Sequence, residues 1–433
     1  MEASSLTLRG VSLLGLFFML GVAWLFSVDR RSVRLRPVLW GTALQLGLGF
    51  LILTPTLQGL FFDLVDHGIK RLLSFAEAGT SFVFGSIEPH QILGLDGQPE
   101  TFAGRVSPPL KTLAFWVLPT IVFFSSLMAV LYHYGVMQRI VWSIAWLMQR
   151  TLGTSGAESL ATAANVFVGQ VEAPLAVRPY IEKMTRSELC TVMTAGFATV
   201  AGGVMAAYVS FLGHVPGIAG HLVTASLLSA PASLAVAKIL VPEREEPETA
   251  GAPVLDLESP HRNLFDAAAR GATDGAKLAL NVGAMLIAFV GLIALVDSVL
   301  SLVPAGAEPL SLSRLLGWLF VPFAFAMGVS PEDCNLVGRL LGEKLVLTEF
   351  VAYSHLGALL GSQPAPLSPR SAVIASYALC GFANFASIGV QLGGIGGIAP
   401  SRSADLASLA LRAMIGGSLA AFMTACVAGI FMA

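Results

Sequence analysis

Apolar residues gather along this chain in eight long runs, near 11–28, 38–61, 111–134, 188–213, 217–241, 277–303, 371–399 and 404–431. Each is long enough for a helix to cross a hydrocarbon layer of about 30 Å. The pattern predicts an all-α membrane protein of eight transmembrane helices, because a helix satisfies its backbone hydrogen bonds within one segment and lipid offers no others. Between the second and third runs, Asp63 to Ser86 mixes Leu64, Ile69, Leu72 and Phe75 with Asp66, His67, Lys70 and Arg71, which suits an amphipathic helix lying in the membrane interface. The stretch 87–107 reads as a polar loop. Two further segments, Glu158 to Ile181 and Gly342 to Leu360, are apolar but polar or charged in the middle, and each begins and ends on one side of the membrane. They are expected to be re-entrant hairpins. The first follows the amphipathic Val136 to Met148 and enters from the cytoplasm; the second follows the apolar Leu312 to Met327 and enters from outside.

Basic residues set the orientation. Arg30, Arg31, Arg34 and Arg36, then Arg139 and Arg150, Arg178, Lys183 and Arg186, and later Arg262, Arg270 and Lys277 should all be cytoplasmic. Both termini are then outside the cytoplasm. The first run lacks the small-residue cleavage pattern of a signal peptide and reads as a retained span. A Glu- and Pro-rich linker, Glu243 to Pro260, divides the chain. The expected organisation is therefore 1–110 for two spans and the interfacial helix, acting as scaffold; 111–242 for a first repeat; 243–276 for a cytoplasmic linker; and 277–433 for a second repeat. Each repeat reads span, surface helix, hairpin with a central Glu, broken span, span. Gly196-Phe-Ala-Thr-Val-Ala201 and Gly381-Phe-Ala-Asn-Phe-Ala386 agree at four of six positions. Spans three and six run in opposite directions, so the repeats are inverted, an arrangement that places a transporter's site at the bilayer midplane.

Composition agrees: 55% of the residues are hydrophobic and only 12% charged, a balance that suits lipid as surroundings rather than water. With a net charge of −2 and no basic tract, nothing points to nucleic acid. The four cysteines are too scattered for a zinc or redox motif. An intramembrane enzyme would need a nucleophile–base pair or metal ligands at membrane depth, and the chain has neither HExxH nor a GxSxG elbow, while His355 stands alone in the second hairpin.

Chemistry concentrates in the interrupted segments. In Asn165-Val-Phe-Val-Gly-Gln-Val-Glu-Ala-Pro174, Glu172 is a functional candidate because a carboxylate at membrane depth needs a partner or water; the alternative is a cytoplasmic loop with a solvated Glu. In the second hairpin Glu349 is expected to be the deeper charge, with Glu343 and Lys344 nearer the surface. A carboxylate there accepts two hydrogen bonds from vicinal hydroxyls, which suits a sugar; the alternative is an internal ion pair with Lys344. In the seventh span Asn384 and Ser387 lie three residues apart and share a helix face, and the Gly393-Gly-Ile-Gly-Gly397 run weakens the helix beyond them; helix-to-helix hydrogen bonding explains them equally. In the fourth span Thr199 precedes Gly202-Gly203, which frees the carbonyls of Thr199 and Val200. With the Asn165 amide they offer hard oxygen ligands suited to sodium, although a threonine in a span commonly bonds its own backbone.

At these residues the chain resembles the concentrative nucleoside transporter family, in its bacterial form with eight spans. The likeness runs from Thr80-Ser-Phe-Val-Phe-Gly85 through Gly153-Thr-Ser-Gly-Ala-Glu-Ser159 and the Asn165 segment to Met184-Thr-Arg-Ser-Glu-Leu189, Gly342 to Tyr353, Asn384-Phe-Ala-Ser387 and Gln391-Leu-Gly-Gly-Ile-Gly-Gly-Ile-Ala-Pro-Ser401. The resemblance implies a homotrimer in the bacterial inner membrane. Each subunit would have a scaffold and a transport domain and move nucleosides inward with sodium by an elevator-like displacement; a proton is the alternative coupling ion. It implies that Gly169, Gln170, Glu172 and Val204 surround the base, that Glu349, Asn384 and Ser387 hold the ribose, that Phe382 lines the pocket, and that Asn165, Val168, Thr199 and Val200 hold sodium. Two positions depart from the family pattern. Val171 stands where a hydroxyl residue is common, and Thr348 where Asn is common. The first removes a hydrogen-bonding group facing the base, which leaves purine against pyrimidine preference open.

Overall fold

The computed structural model describes residues 2–85, 87–88, 90–93, 99–102, 106, 111–213, 215–251, 262–303 and 309–432. Helices α1 (Glu2–Leu25) and α2 (Leu35–Leu53) form the first two spans. The second ends at Leu53 rather than near 61, because Pro55 has no amide to donate and opens a new helix, α3 (Pro55–Phe84). The interfacial helix is correspondingly longer than its amphipathic pattern suggests. Within the polar loop, β1 (His90–Leu93) pairs antiparallel with β2 (Pro99–Phe102); most of the remaining loop lies outside the described residues.

A π-helical turn at Leu113–Val117 leads into α4 (Leu118–His133), the third span, followed by the surface helix α5 (Val136–Leu152). The first hairpin is built from α6 (Gly156–Asn165), α7 (Glu172–Leu175) and α8 (Arg178–Ile181). The fourth span is broken into α9 (Arg186–Ala198) and α10 (Gly202–Phe211), and α11 (Ile218–Leu240) is the fifth. Linker residues 252–261 lie outside the described residues. The second half repeats the order: α12 (Leu264–Leu300), α13 (Leu312–Ala326), a hairpin of α14 (Cys334–Val346) and α15 (Glu349–Gly361), a broken span of α16 (Pro369–Leu379) and α17 (Phe385–Ile398), and α18 (Ser403–Phe431). Among the described residues, seven segments are continuous enough to cross a membrane, counting α9 with α10 as one. The eighth span is the α16–α17 pair, whose halves are individually short.

Helices α11 and α18 form the centre, packed on each other and on α9; α1, α2 and α16 surround them, while α4 runs along α12 and α13 along α14. In the most apolar part of the α9–α10 span 94% of residues are buried, against 6% in α12. The break at 199–201 is thus enclosed by protein, where backbone groups released from the helical ladder are shielded from lipid. Helix α12 instead offers most of its surface outward.

The base of the first hairpin is held by charge. Ser155 caps α6 reciprocally with Glu158, and the buried Glu158 meets the buried Lys238 Nζ at 2.8 Å, which also contacts Glu243 at 3.2 Å. Each of these buried charges has a partner, as enclosure requires. Outside the membrane, hydrogen bonds from Ser32 and Arg244 hold the Asp29 carboxyl down to about 2, tying the α1–α2 loop to the linker.

Candidate substrate-binding site

Glu349 is the first residue of α15 and is 5% exposed. A helix start presents unpaired N–H groups and favours a negative charge. The Tyr208 hydroxyl donates to its Oε1 at 2.8 Å, and Asn384 Nδ2 donates to its Oε2 at 2.7 Å. Tyr208, on α10, is fixed by stacking on Tyr353 with ring centroids 4.3 Å apart. Asn384 is not on a helical face shared with Ser387; it is the N-cap of α17, and its Oδ1 accepts the Ser387 N–H at 2.8 Å.

The seventh span breaks at 380–384 rather than at the glycine run, which lies inside α17. Two glycines explain this. Gly381 has φ +102, and a Cβ there would lie 2.6 Å from the Phe197 carbonyl oxygen, so the two broken spans touch backbone to backbone at their breaks. Gly394 stays helical, and its missing side chain makes room for Val171, whose Cγ1 would lie 2.4 Å from an added Cβ.

The tip of the first hairpin, Val166 to Val171, is irregular. Gln170 is buried, and its Oε1 accepts from Gln391 Nε2 at 3.0 Å; that same nitrogen donates to Met193 O at 3.1 Å. Gly202 N donates to Phe167 O at 3.0 Å, and Ser226 Oγ to Val166 O at 3.0 Å, docking the tip on the fourth-span break and on α11. Asn165 ends α6 and is fully enclosed; its Nδ2 donates to Ala161 O at 3.1 Å, while its Oδ1 is buried with no partner. Thr199 is the C-cap of α9, and its hydroxyl donates to Ala195 O at 2.8 Å. Thr199 and Val200 fall between the last residue of α9 and the N-cap of α10, with the Thr199 N–H closing the last turn of α9 on Ala195 O at 3.2 Å. Among the described residues no three His, Cys, Asp or Glu side chains gather as a metal site, so a cation held here would rely on amide, hydroxyl and carbonyl oxygens.

Between the hairpin tips lies a cavity of about 170 Å³. Gly169, Gln170, Glu172, Val204, Glu349, Phe382, Asn384 and Ser387 all line it, with Val171, Thr348 and, from α12, Leu278, Asn281, Val282, Met285 and Leu286. Glu172 is exposed to this space and to a second cavity of about 550 Å³, which also meets Gln138, Arg178 and Asp274.

One charge is displaced from expectation. Lys344 is 3% exposed, not near the surface, whereas Glu343 does lie outward, paired with His355 at 2.8 Å. The hairpin starts earlier than its charged middle suggests, at Cys334, so ten residues of helix already separate Lys344 from the mouth, about 15 Å at helical rise. Nor does Lys344 form an ion pair with Glu349, since the ammonium is bonded to backbone carbonyls instead. Sequence reasoning missed Tyr208, Gln391 and the α12 wall. Tyr208 carries a signal, a lone phenol in a charge-free run; the α12 residues carry none beyond Asn281.

The geometry can be set beside known proteins. The family described as Na+ dependent nucleoside transporter N-terminus matches residues 14–87, nucleoside recognition gate matches 114–215, and Na+ dependent nucleoside transporter C-terminus matches 221–429. Solute carrier family 28 member 3 of Mus musculus is 42% identical over 97% of this chain, which spans 58% of the mouse protein's length. The transporter YutK of Bacillus subtilis is 40% identical over 97% of this chain and 98% of its own. Among solved structures, CNTnw in an inward-facing substrate-bound state is 41% identical with a TM-score of 0.86, covering 98% of this chain and 99% of that one. An outward-facing variant of CNTnw gives 0.87 at 41% identity, with 98% of both chains covered. With near-complete coverage of YutK and of CNTnw, and every segment in the same order, this chain belongs to the concentrative nucleoside transporter family, a family of membrane transporters and not of enzymes.

Proposed function

We propose that the protein is a secondary active transporter that imports nucleosides together with sodium. The observation that carries the reading is the Glu349 carboxylate at the cavity wall. Each of its oxygens already accepts one hydrogen bond, from Tyr208 and from Asn384, and a carboxylate oxygen has a second lone pair to offer. Vicinal ribose hydroxyls would take those pairs, with Ser387 beside them. A solute lacking the hydroxyls would leave an enclosed charge underpaired, at a cost of about 1–3 kcal/mol, which is the basis of selection. Across the cavity the Gln170 amide and the Glu172 carboxylate would face the polar edge of a base, with Gly169 allowing close approach and Val204 and Phe382 as apolar walls. The name of one relative, mouse sodium/nucleoside cotransporter 1 at 40% identity, and the descriptions of the matching families support the substrate class.

The residues present fit a sodium ion, since the Asn165 Oδ1 is enclosed without a partner. Asn165, Thr199 and the carbonyls of Val168 and Val200 would hold it. Bound there, sodium supplies positive charge that offsets the gathered oxygens. These residues join the hairpin tip to the fourth-span break, and ordering them orders Gln170 and Glu172, so cation and nucleoside would raise each other's affinity. Movement would be elevator-like: hairpins and broken spans displace together along the wall formed by α4 and α12. The outward surface of α12 suits contact with neighbouring copies in a homotrimer. By the distribution of basic residues the protein would sit in a bacterial inner membrane with both termini outside the cytoplasm.

The test is uptake into reconstituted vesicles. Glu349→Gln is expected to lower uridine and adenosine uptake at least ~30-fold, the factor equivalent to about 2 kcal/mol, with assembly unchanged. Undiminished uptake would sink the assignment of Glu349. Replacing external sodium by choline at fixed pH should stop accumulation; accumulation driven by a proton gradient in choline would move the coupling to protons.

A further inference from the structure

Lys344 lies in the last turn of α14. Its Nζ donates to the carbonyl of Ala378 at 3.0 Å and to that of Cys380 at 3.1 Å. These are carbonyls at the C-terminal end of α16, whose C-cap is Cys380. A helix end carries unpaired carbonyls and partial negative charge, and at membrane depth they need a partner. In the second repeat that partner is an ammonium.

The first repeat has the same order of elements without the lysine. Its hairpin helix α6 ends at Asn165, and the broken-span helix α9 has its C-cap at Thr199. Asn165 to Thr199 is a separation of 34 residues, and so is Val346, the end of α14, to Cys380. By that count the counterpart of Lys344 is Ala163, which has no group to donate, and two residues further on the first repeat has the buried, unpartnered Asn165 Oδ1. Polar groups at one junction are completed within the chain; at the other they are left for something else to complete.

We infer that Lys344 is a tethered cation that takes the place, in the second repeat, of the exchangeable cation of the first, and that it positions the ribose half of the site. The chain of contact is short. Lys344 holds Cys380, the break runs from Cys380 to Asn384, and Asn384 holds Glu349. Lys344 acts through the break and is a positioning residue. The inference rests on the nucleoside reading for its binding probe and on the sodium reading for the contrast between repeats; the backbone contacts stand apart from both.

The experiment uses the purified full chain with Lys344→Met, Lys344→Gln and Lys344→Arg. The first readout needs no ligand. Cys380 is 1% exposed in the break and Cys190 is buried in α9; with the other two cysteines replaced by Ser, alkylation by a maleimide reports each. Lys344→Met is expected to speed Cys380 alkylation at least ~10-fold and leave Cys190 unchanged, while Lys344→Arg, which keeps donors and charge, protects both. The second readout is uridine and adenosine binding at saturating sodium, expected to weaken at least ~10-fold in Lys344→Met with the sodium midpoint unchanged. Unaltered Cys380 alkylation overturns the inference, as does a binding defect that more sodium fully restores. If Lys344→Met unfolds, both cysteines react together, and Lys344→Gln decides: faster alkylation of Cys380 alone supports the inference, and protection as in the wild type overturns it. Should the wild type bind neither nucleoside, the nucleoside reading fails, while the alkylation result still judges Lys344.

Discussion

In the first repeat an irregular tip from Val166 to Val171 joins the hairpin helices, whereas in the second only Leu347 and Thr348 separate α14 from α15. The polar groups differ in the same sense. The first tip leaves the Asn165 Oδ1 unpartnered and Glu172 open to two cavities, while the second encloses Glu349 and Lys344, both bonded within the chain. Irregular backbone at membrane depth is tolerated where it lines a cavity. One topology, used twice in opposite directions, therefore yields a half whose Asn165 oxygen has no partner in the chain and a half whose Glu349 and Lys344 each have partners within it.

The sharpest way to break this comparison is to strain the two spans at their breaks. Gly381→Ala would set a side chain at φ +102 and 2.6 Å from the Phe197 oxygen, and a loss of about 3–5 kcal/mol is expected from strain and overpacking together. At Gly202 an added Cβ meets only the Phe167 oxygen at 3.3 Å, and Gly202→Ala should cost under about 1 kcal/mol. Thermal unfolding of the solubilised protein reads both, and equal losses would show the two breaks to be mechanically alike.

A smaller effect is expected at Tyr208. Tyr208→Phe removes one of the donors to the enclosed Glu349, and at about 1–3 kcal/mol nucleoside KM should rise roughly 5- to 150-fold. Gln391→Leu, which cuts the matching bond to Gln170 in the first repeat, removes a bond between neutral groups and should cost about 1 kcal/mol or less. A larger loss for Gln391→Leu than for Tyr208→Phe would show the bond at the first hairpin tip to matter more than the one at Glu349. The mildest probe is Val171→Thr, which keeps shape and restores a hydroxyl beside Gly394. The ratio of adenosine to uridine uptake is expected to shift by about fivefold, or about 1 kcal/mol, with sodium dependence intact; an unchanged ratio would show that Val171 does not face the base.

Much of the architecture was legible in the chain. The spacing of apolar runs predicts eight spans and the charged interruptions predict two hairpins, because the cost of polar groups in lipid is large and local. Where the helices break was less legible. The Gly393–Gly397 run looks like the weak point of the seventh span, yet it stays helical because its missing side chains admit Val171 from the other repeat, while the single Gly381 makes the break because another backbone presses on it. Depth was misread at Lys344 because hydropathy marks where a charge lies along the chain, not how far the hairpin has already travelled inward.

The sequence by itself determined the lipid environment, the inverted order of elements and the identity of the carboxylates, since each follows from residue type and spacing. Only the tertiary structure decided which groups complete one another: Tyr208 and Asn384 on Glu349, Gln391 on Gln170, Lys344 on the end of α16, and nothing within the chain on the Asn165 oxygen. Those pairings join residues from 34 to more than 200 positions apart, and a hydrogen bond of about 3 Å is settled by packing: Tyr208 on Glu349 and Gln391 on Gln170 by how the two repeats meet, Lys344 and Asn384 by how hairpin and broken span meet within the second.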